Sequence, residues 1–220
     1  MFKTVLSAIS KFRKSNTKAK FTKIYKENIF EGENSISGKG SDMLQTATIR
    51  KEIPKLINEL SITTFIDAPC GDFFWMKETK LGVKKYIGID IVDALIKKNK
   101  AVYANQERQF LCLDIIKDQL PQADLIQCRD CLVHLTFEQA KEALLNFKKS
   151  GSTYLLTTTF TDRQENVDLK GEDIWRTLNL EKPPFNFPKP VMVINENCTE
   201  ANNQFTDKCL GLWKLEDIKI

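Results

Sequence analysis

Long apolar runs are missing from this 220-residue sequence. A transmembrane helix needs roughly 20 consecutive apolar residues, and no stretch approaches that length, so we expect no membrane span. Cysteine is sparse: six residues are scattered through the chain, without the density of a disulfide-stabilised scaffold. Because disulfides persist in oxidising compartments, this pattern predicts reduced thiols in a cytoplasmic protein.

Glycine is scarce as well, with nine residues in the whole chain. The phosphate-binding pattern G-x-G-x-x-G of dinucleotide-binding folds is absent. The corresponding turn, Asp67-Ala-Pro-Cys-Gly-Asp72, has one glycine and places two carboxylates where phosphates would lie. Repulsion between like charges therefore disfavours NAD or ATP as the ligand, and with them a nucleotide-dependent oxidoreductase.

Acidic residues are absent from residues 1–26, which contain eight Lys or Arg. The rest of the chain then holds 25 basic against 29 acidic residues, which is not the basic surface of a nucleic-acid enzyme. Apolar residues recur at helical spacing near the start, and a secretory signal is not expected because this stretch is short and broken by serine. These apolar positions are Phe2, Val5, Leu6, Ile9 and Phe12.

We therefore divide the chain into a basic amphipathic segment, residues 1–30, and a single domain, residues 31–220. Residues 1–26 either contact an anionic membrane surface or a partner, or form a solvated helix, and the sequence leaves this open. A protein held in this way would lie at the inner face of a membrane. The oligomeric state is left open too.

Short apolar runs alternate with helical patterns from residue 43 onward. Strands are predicted at 64–68, 85–89, 109–113, 123–128 and 153–157, and helices at 43–60 (with a kink or restart at Pro54), 92–103 and 136–148. Two further strands, at 191–195 and 210–215, would close the chain as an antiparallel hairpin. This order predicts an α/β fold whose mostly parallel sheet is covered on both faces. The glycine-bearing loop 31–41 either covers a ligand or is a plain linker.

Aspartates lie at or just beyond the ends of four predicted strands: Asp67, Asp90, Asp114 and Asp130. The carboxyl ends of parallel strands share one edge of a sheet, so these carboxylates should face one crevice. Clustered acids repel each other unless hydrogen-bond donors meet them. One such aspartate is usually a helix cap, but three in register favour a ligand rich in donors. S-adenosylmethionine is such a ligand, because it carries an adenosine, an ammonium group and a cationic sulfonium centre and has no phosphate.

These motifs resemble those of class I S-adenosylmethionine-dependent methyltransferases over roughly residues 40–220. The resemblance implies a Rossmann-like three-layer sandwich with a seven-stranded sheet, S-adenosyl-L-methionine as the cofactor, and methyl transfer as the activity. In this family the first motif usually has three glycines, and Pro69 and Phe73 occupy the outer two positions here. The cofactor-binding residues that it implies are Asp67, Pro69, Gly71, Asp72, Asp90, Ile91, Asp114, Ile115 and Arg129.

Two further stretches, 37–41 and 175–185, resemble a bacterial subgroup found in polysaccharide and glycan assembly. That resemblance suggests O-methylation of a sugar or glycan hydroxyl. Other acceptors stay open, namely another small molecule, a protein or a nucleic acid, although the charge balance predicts no nucleic-acid partner. A non-catalytic cofactor-binding protein also stays open.

His134 is the only histidine in the chain and follows Asp130 by four residues. With a pKa near 6.5 it is the best general base available, either paired with Asp130 or alone. The alternative is a histidine that packs against the following helix. Cys128, Cys131 and His134 lack a fourth zinc ligand, so we predict no metal site, although a divalent ion at Asp130 stays open. Aromatic residues of the insert after the fifth strand, Trp175, Phe185 and Phe187, either face a sugar or close the core.

Overall fold

The computed structural model describes residues 17–220, so the apolar positions between Phe2 and Phe12 lie outside the described part. Seven strands form one sheet in the order β3-β2-β1-β4-β5-β7-β6. Their bounds are β1 Thr64–Asp67, β2 Lys85–Asp90, β3 Arg108–Cys112, β4 Leu125–Cys128, β5 Tyr154–Phe160, β6 Met192–Asn195 and β7 Lys208–Lys214. Strand β7 pairs antiparallel with β5 and β6, and the other pairs are parallel. The predicted α/β class and closing hairpin are confirmed.

Within residues 17–220, four helices of more than two turns accompany the sheet: α1 Thr17–Glu27, α2 Ile49–Glu59, α3 Asp93–Tyr103 and α4 Phe137–Lys149. A single helical turn, Glu200–Asn203, lies in the closing hairpin. Helix α4 begins at a capping box, in which the Thr136 side chain accepts from the Gln139 amide and the Gln139 side chain accepts from the Thr136 amide. This local signal explains why the sequence predicts the start of α4 well.

The predicted helix at residues 43–60 is wrong at its start. Helix α2 begins at Ile49, because residues before it form turns in which the Thr46 amide and hydroxyl both donate to the Asp42 carbonyl. Leu44, which a helix over 43–60 would place on its apolar face with Leu56 and Leu60, is 76% exposed. The helix continues through Pro54, so the expected restart is absent.

The core has two parts, one on each face of the sheet. Neighbouring strand residues such as Phe65 and Ile66 point to opposite faces, as the two-residue period of a strand requires. One part packs against α4, and the other packs against α2 and α3. Burial on both faces fixes the strands in register and brings their carboxyl ends to one edge.

Helix α1 and the segment after it pack across that edge. Thr17 and Ile24 are buried, and Phe21 packs against the core part that contains α4. Within the described residues, no helix is long and apolar enough to cross a membrane. All six cysteines lie in this part of the chain and none forms a disulfide.

Candidate active site

A cavity of about 420 Å³ opens at the carboxyl edge of the parallel strands. This volume lies within the usual range for small-molecule sites. All eleven residues that the sequence predicts for the site line it: Asp67, Pro69, Gly71, Asp72, Asp90, Ile91, Asp114, Ile115, Arg129, Asp130 and His134. The structure therefore brings the predicted set together, and the role of each residue stays a prediction.

Asp67, at the tip of β1, lies at the floor of the cavity and is 3% exposed. The Tyr86 hydroxyl donates to one of its oxygens at 2.7 Å, and the Gln127 side-chain amide donates to the other at 3.0 Å. Burial raises the pKa of Asp67 to about 7, although both hydrogen bonds oppose this shift. Two donors of the protein itself therefore meet this carboxylate.

Asp90, at the tip of β2, is held by backbone amides on both sides. Gly71 donates to Oδ2 at 3.0 Å and Val92 donates to Oδ1 at 2.9 Å. The Ile91 backbone amide acts on the same carboxylate. Because a carboxylate can accept about four hydrogen bonds, Asp90 keeps an acceptor position beside these three amides. Burial raises the pKa of Asp90 to about 6.

Asp114 follows β3 and accepts a hydrogen bond from the Ile116 amide at 2.9 Å. The amide of Ile115 lies between them in the same turn, and no group among residues 17–220 accepts from it. A carboxylate and an adjacent free amide can accept from and donate to one edge of a heterocyclic base.

Residues 31–41 form a covering loop over the first turn of the site, and Asp72 holds it there. Asp72 accepts from the Ser35 hydroxyl at 2.9 Å and from the Ile36 amide at 3.0 Å. The loop approaches so closely that a β-carbon at Gly71 would lie 2.1 Å from the Ser37 hydroxyl oxygen. Of the two interpretations of this loop, the structure supports the one in which it covers the cavity.

A buried charge network lies on the other side of the cavity. Arg129 contacts Glu196 through Nη2 at 2.6 Å and Nε at 3.1 Å, and its Nη2 also donates to the Gly40 carbonyl at 2.9 Å. Lys208 donates to Asp130 at 2.7 Å. Although burial alone would raise it, Lys208 and Arg129 lower the pKa of Asp130 to about 2. Asp130 is therefore an ion-paired carboxylate and a poor proton acceptor.

His134 ends a short 3-10 turn, Leu132–His134, and lies against the Phe30 ring with the centroids 4.7 Å apart. Its Nδ1 lies 2.5 Å from the Ile174 carbonyl oxygen. A carbonyl can only accept, so Nδ1 carries the proton and Nε2 keeps the free lone pair. Burial lowers the pKa of His134 to about 4, which leaves the ring neutral at pH 7. Of the two arrangements that the sequence leaves open, the one that pairs His134 with Asp130 is not formed, since no hydrogen bond joins them.

The aromatic residues of the insert separate into two groups. Trp175 lines the cavity, beside Phe160 and Phe205, with ring centroids 5.1–6.0 Å apart. Phe185 and Phe187 instead lie in the core, 3% and 4% exposed. The insert thus closes the core and adds one aromatic wall to the cavity.

No group of three or more His, Cys, Asp or Glu residues between 17 and 220 is arranged to hold a metal ion. Asp130, the residue considered for a divalent ion, pairs with the Lys208 ammonium at 2.7 Å.

Four residues of the site were not predicted from the sequence: Tyr86, Gln127, Glu196 and Lys208. Tyr86 and Gln127 lie inside strands. The alternation of side chains along β2 would predict a core position for Tyr86, and only the register of β4 against β1 brings Gln127 beside Asp67. The other two belong to the closing hairpin and are 67 and 78 residues from their partners in the chain. No local pattern could have identified them.

No known family model matches this sequence, and no curated protein matches it. Solved structures do resemble it. The N-methyltransferase NodS from Bradyrhizobium japonicum WM9, in complex with S-adenosyl-L-homocysteine, is 16% identical with a TM-score of 0.52, over 74% of this chain and 86% of that chain.

Two further structures align at a TM-score of 0.49. Human N-acetylserotonin methyltransferase in complex with SAM is 20% identical over 67% of this chain and 44% of its own, so our chain spans less than half its length. Magnesium protoporphyrin IX methyltransferase from Synechocystis PCC 6803 with bound SAM is 13% identical over 71% of this chain and 82% of its own. At such low identities a structural similarity shows the fold alone, and we base it on NodS, whose TM-score is above 0.5. This chain has the Rossmann-like fold of class I methyltransferases.

Proposed function

We propose that this protein is an S-adenosylmethionine-dependent methyltransferase. The observation that carries the proposal is the convergence of Asp67, Asp90 and Asp114 on one cavity. Among residues 17–220, Asp67 and Asp90 form no ion pair, and Asp114 pairs with the exposed Lys117 at 3.6 Å. An acidic cavity of this kind suits a ligand that is cationic, rich in donors and free of phosphate.

The order of the strands agrees with the order of groups along this cofactor. From β3 through β2 to β1 and β4 the cavity presents Asp114, Asp90 and then Asp67 with Gln127. Asp114 and the free Ile115 amide would meet the adenine, Asp90 would accept from the ribose hydroxyls, and Asp67 with Gln127 would meet the ammonium group. The residues present therefore fit the cofactor.

Held by Asp67, Asp90 and Asp114, the cofactor would supply a sulfonium methyl group for transfer to an acceptor oxygen, with S-adenosylhomocysteine as the leaving group. The chain's own task is to orient the acceptor and to take its proton. We assign the proton to Nε2 of His134, because Nδ1 already donates to the Ile174 carbonyl. Asp130 is not the base, since Lys208 neutralises it.

For the acceptor we propose a sugar or glycan hydroxyl. The wall formed by Trp175 and Phe205 supports this choice, because aromatic faces pack against the apolar faces of sugar rings. The Lys208 ammonium and the Glu200 carboxylate line the same end of the cavity and can donate to and accept from ring hydroxyls.

Methyl transfer can be tested with methyl-deuterated cofactor and a panel of sugar nucleotides and glycans, read by mass. With the wild type we expect one deuterated methyl group on a sugar. With His134→Asn we expect no transfer, because the asparagine can still donate to the Ile174 carbonyl but cannot act as the base. Undiminished turnover in His134→Asn would remove His134 from the mechanism. Transfer only to peptides or amines would contradict the sugar acceptor.

We further propose that the basic N-terminal segment holds the protein at an anionic membrane surface. Exposed Lys18, Lys23 and Lys26 on α1 continue the run of positive charge in residues 1–16. Because α1 also lines the cavity, the test removes residues 1–16 alone. We expect the full chain to sediment with phosphatidylglycerol vesicles and the shortened chain to stay in solution, and equal sedimentation would contradict the proposal.

A further inference from the structure

Gln127 holds an acceptor atom that the protein leaves without a partner. The residue is fully buried at 0% exposure and lines the cavity. Its side-chain oxygen Oε1 is one of four buried side-chain polar atoms in the described residues that have no hydrogen-bond partner. A buried polar group without a partner costs roughly 1–3 kcal/mol, so such atoms call for an explanation.

The neighbouring carboxylate fixes which way the amide points. Gln127 Nε2 donates to Asp67 Oδ1 at 3.0 Å, and rotating the amide by 180° would place two oxygens against each other when Asp67 is ionised. Tyr86 donates to the other oxygen of Asp67 at 2.7 Å. The chain Tyr86–Asp67–Gln127 therefore holds Oε1 in one orientation.

The site so formed offers acceptors to a ligand. It combines the orphan oxygen of Gln127 with the remaining acceptor positions of Asp67, and both residues line the cavity. The charged and titratable groups that act on Asp67 are Tyr86, Asp90, Cys70 and Arg129. Arg129 itself is taken up by Glu196, Gly40 and Asp130, so it does not satisfy Oε1.

We infer that the side-chain oxygen of Gln127 accepts a hydrogen bond from the α-ammonium group of the cofactor, and that Gln127 with Asp67 selects ligands carrying that group. This inference rests on the proposed function. An ammonium group brings three donors and a positive charge, which matches two acceptors, one of them a carboxylate.

Two probes that differ only in this group test the inference: S-adenosylhomocysteine and its deaminated analogue, in which hydrogen replaces the α-amino group. In the wild type we expect the analogue to bind about 10- to 100-fold more weakly, as for a hydrogen bond to a charged group. In Gln127→Met, which keeps the length of the side chain and removes the acceptor, we expect this ratio to fall about fivefold or more. An unchanged ratio in a folded Gln127→Met would overturn the inference.

Asp114→Ala is the matched control, because Asp114 lies at the far end of the cavity, beyond β3. It should weaken both probes by the same factor and leave their ratio as in the wild type. If neither probe binds the wild type, the proposed function fails. If both probes bind and Gln127→Met leaves their ratio unchanged, only the inference about Gln127 fails.

Because Gln127 is buried, a second measurement uses the wild type alone. With glutamine labelled by nitrogen-15, the side-chain amide resonance of Gln127 can be assigned through its own backbone. We expect S-adenosylhomocysteine to shift this resonance and the deaminated analogue to leave it nearly in place. Equal shifts with both probes would contradict a direct contact with the ammonium group.

Discussion

Phe73 occupies a backbone conformation that usually favours glycine. Its φ of 60° lies in the left-handed region, at a position where the resembling family has glycine. The ring is 3% exposed and packs against Tyr86, Tyr103 and Phe110 with centroids 5.2 Å away in each case. Burial of an aromatic ring thus offsets the backbone strain, and the turn keeps its shape without the missing glycine.

Two substitutions at this position separate strain from burial. Phe73→Ala should lower the free energy of unfolding by about 3–5 kcal/mol, because the ring is lost and the strain stays. Phe73→Gly should unfold at the same or a higher denaturant concentration than Phe73→Ala, since left-handed backbone costs a side-chain-bearing residue about 1–2 kcal/mol. If Phe73→Gly is about 1 kcal/mol less stable than Phe73→Ala, as at an ordinary position, the account of strain is wrong.

Asp67 makes the stability of the cofactor-free protein depend on pH. Burial raises the pKa of Asp67 to about 7, so the folded protein binds this proton more tightly than the unfolded chain does. The resulting stability is fully present below about pH 4 and is lost as pH rises through about 7. In Asp67→Asn this dependence disappears, and Gln127 can turn its amide to accept from the new side chain.

The measurement is denaturant unfolding of wild type and Asp67→Asn at several pH values. We expect the stability of the wild type relative to the variant to fall by about 4 kcal/mol from pH 4 to pH 8, since each pKa unit is worth about 1.4 kcal/mol. A difference that does not vary with pH would show that Asp67 titrates like an exposed carboxylate.

The covering loop, residues 31–41, is the element whose position depends most on one side chain. Asp72 accepts hydrogen bonds from both Ser35 and Ile36, whereas Arg129 holds the far end of the loop at the Gly40 carbonyl. We expect Asp72→Ala to speed hydrogen exchange at the Ile36 amide about tenfold or more, and to speed release of S-adenosylhomocysteine from the cavity.

Glu31→Gln is the control for this loop. Glu31 lies in the same loop, and its side chain forms an exposed pair with Lys39 at 2.8 Å. Such surface pairs contribute little to stability, so both rates should stay as in the wild type. Equal effects of the two variants would mean that Asp72 does not anchor the loop.

The strands were the most predictable elements, and the reason is local. Each combines a short apolar run with turn residues, so β1 at Thr64–Asp67 and β2 at Lys85–Asp90 begin where the sequence predicts them. The carboxylate convergence followed from the same pattern. Two features could not be predicted. The start of α2 is one, because Leu44 matches the helical period while the backbone turns at Asp42. The other is the placement of Trp175 at the cavity and of Phe185 and Phe187 in the core, because this depends on packing.

The buried charge network connects distant parts of the chain at the carboxyl edge of the sheet. Arg129 follows β4, Glu196 and Lys208 belong to the closing hairpin, and Gly40 belongs to the covering loop. Glu196→Ala leaves Arg129 buried with much of its charge unpaired. We expect it to lower the free energy of unfolding by about 3–5 kcal/mol.

A double variant and a surface pair serve as controls for the network. Arg129→Met with Glu196→Leu replaces the buried pair by apolar groups and should recover most of the lost stability. Lys55→Ala, which removes an exposed pair with Glu52, should change stability by about 0.5 kcal/mol or less. A Glu196→Ala variant no less stable than Lys55→Ala would show that the network does not stabilise the fold.

The central claim is that the acidic edge of this sheet binds S-adenosylmethionine, and titration calorimetry of the full chain tests it most directly. We predict one molecule of S-adenosylmethionine bound per chain, no detectable binding of NAD, and a loss of about 1.5–3 kcal/mol of binding free energy in Asp90→Ala, because a charge-assisted contact to the ribose is removed. Binding of NAD in preference to S-adenosylmethionine, or affinity that Asp90→Ala leaves unchanged, would contradict the account.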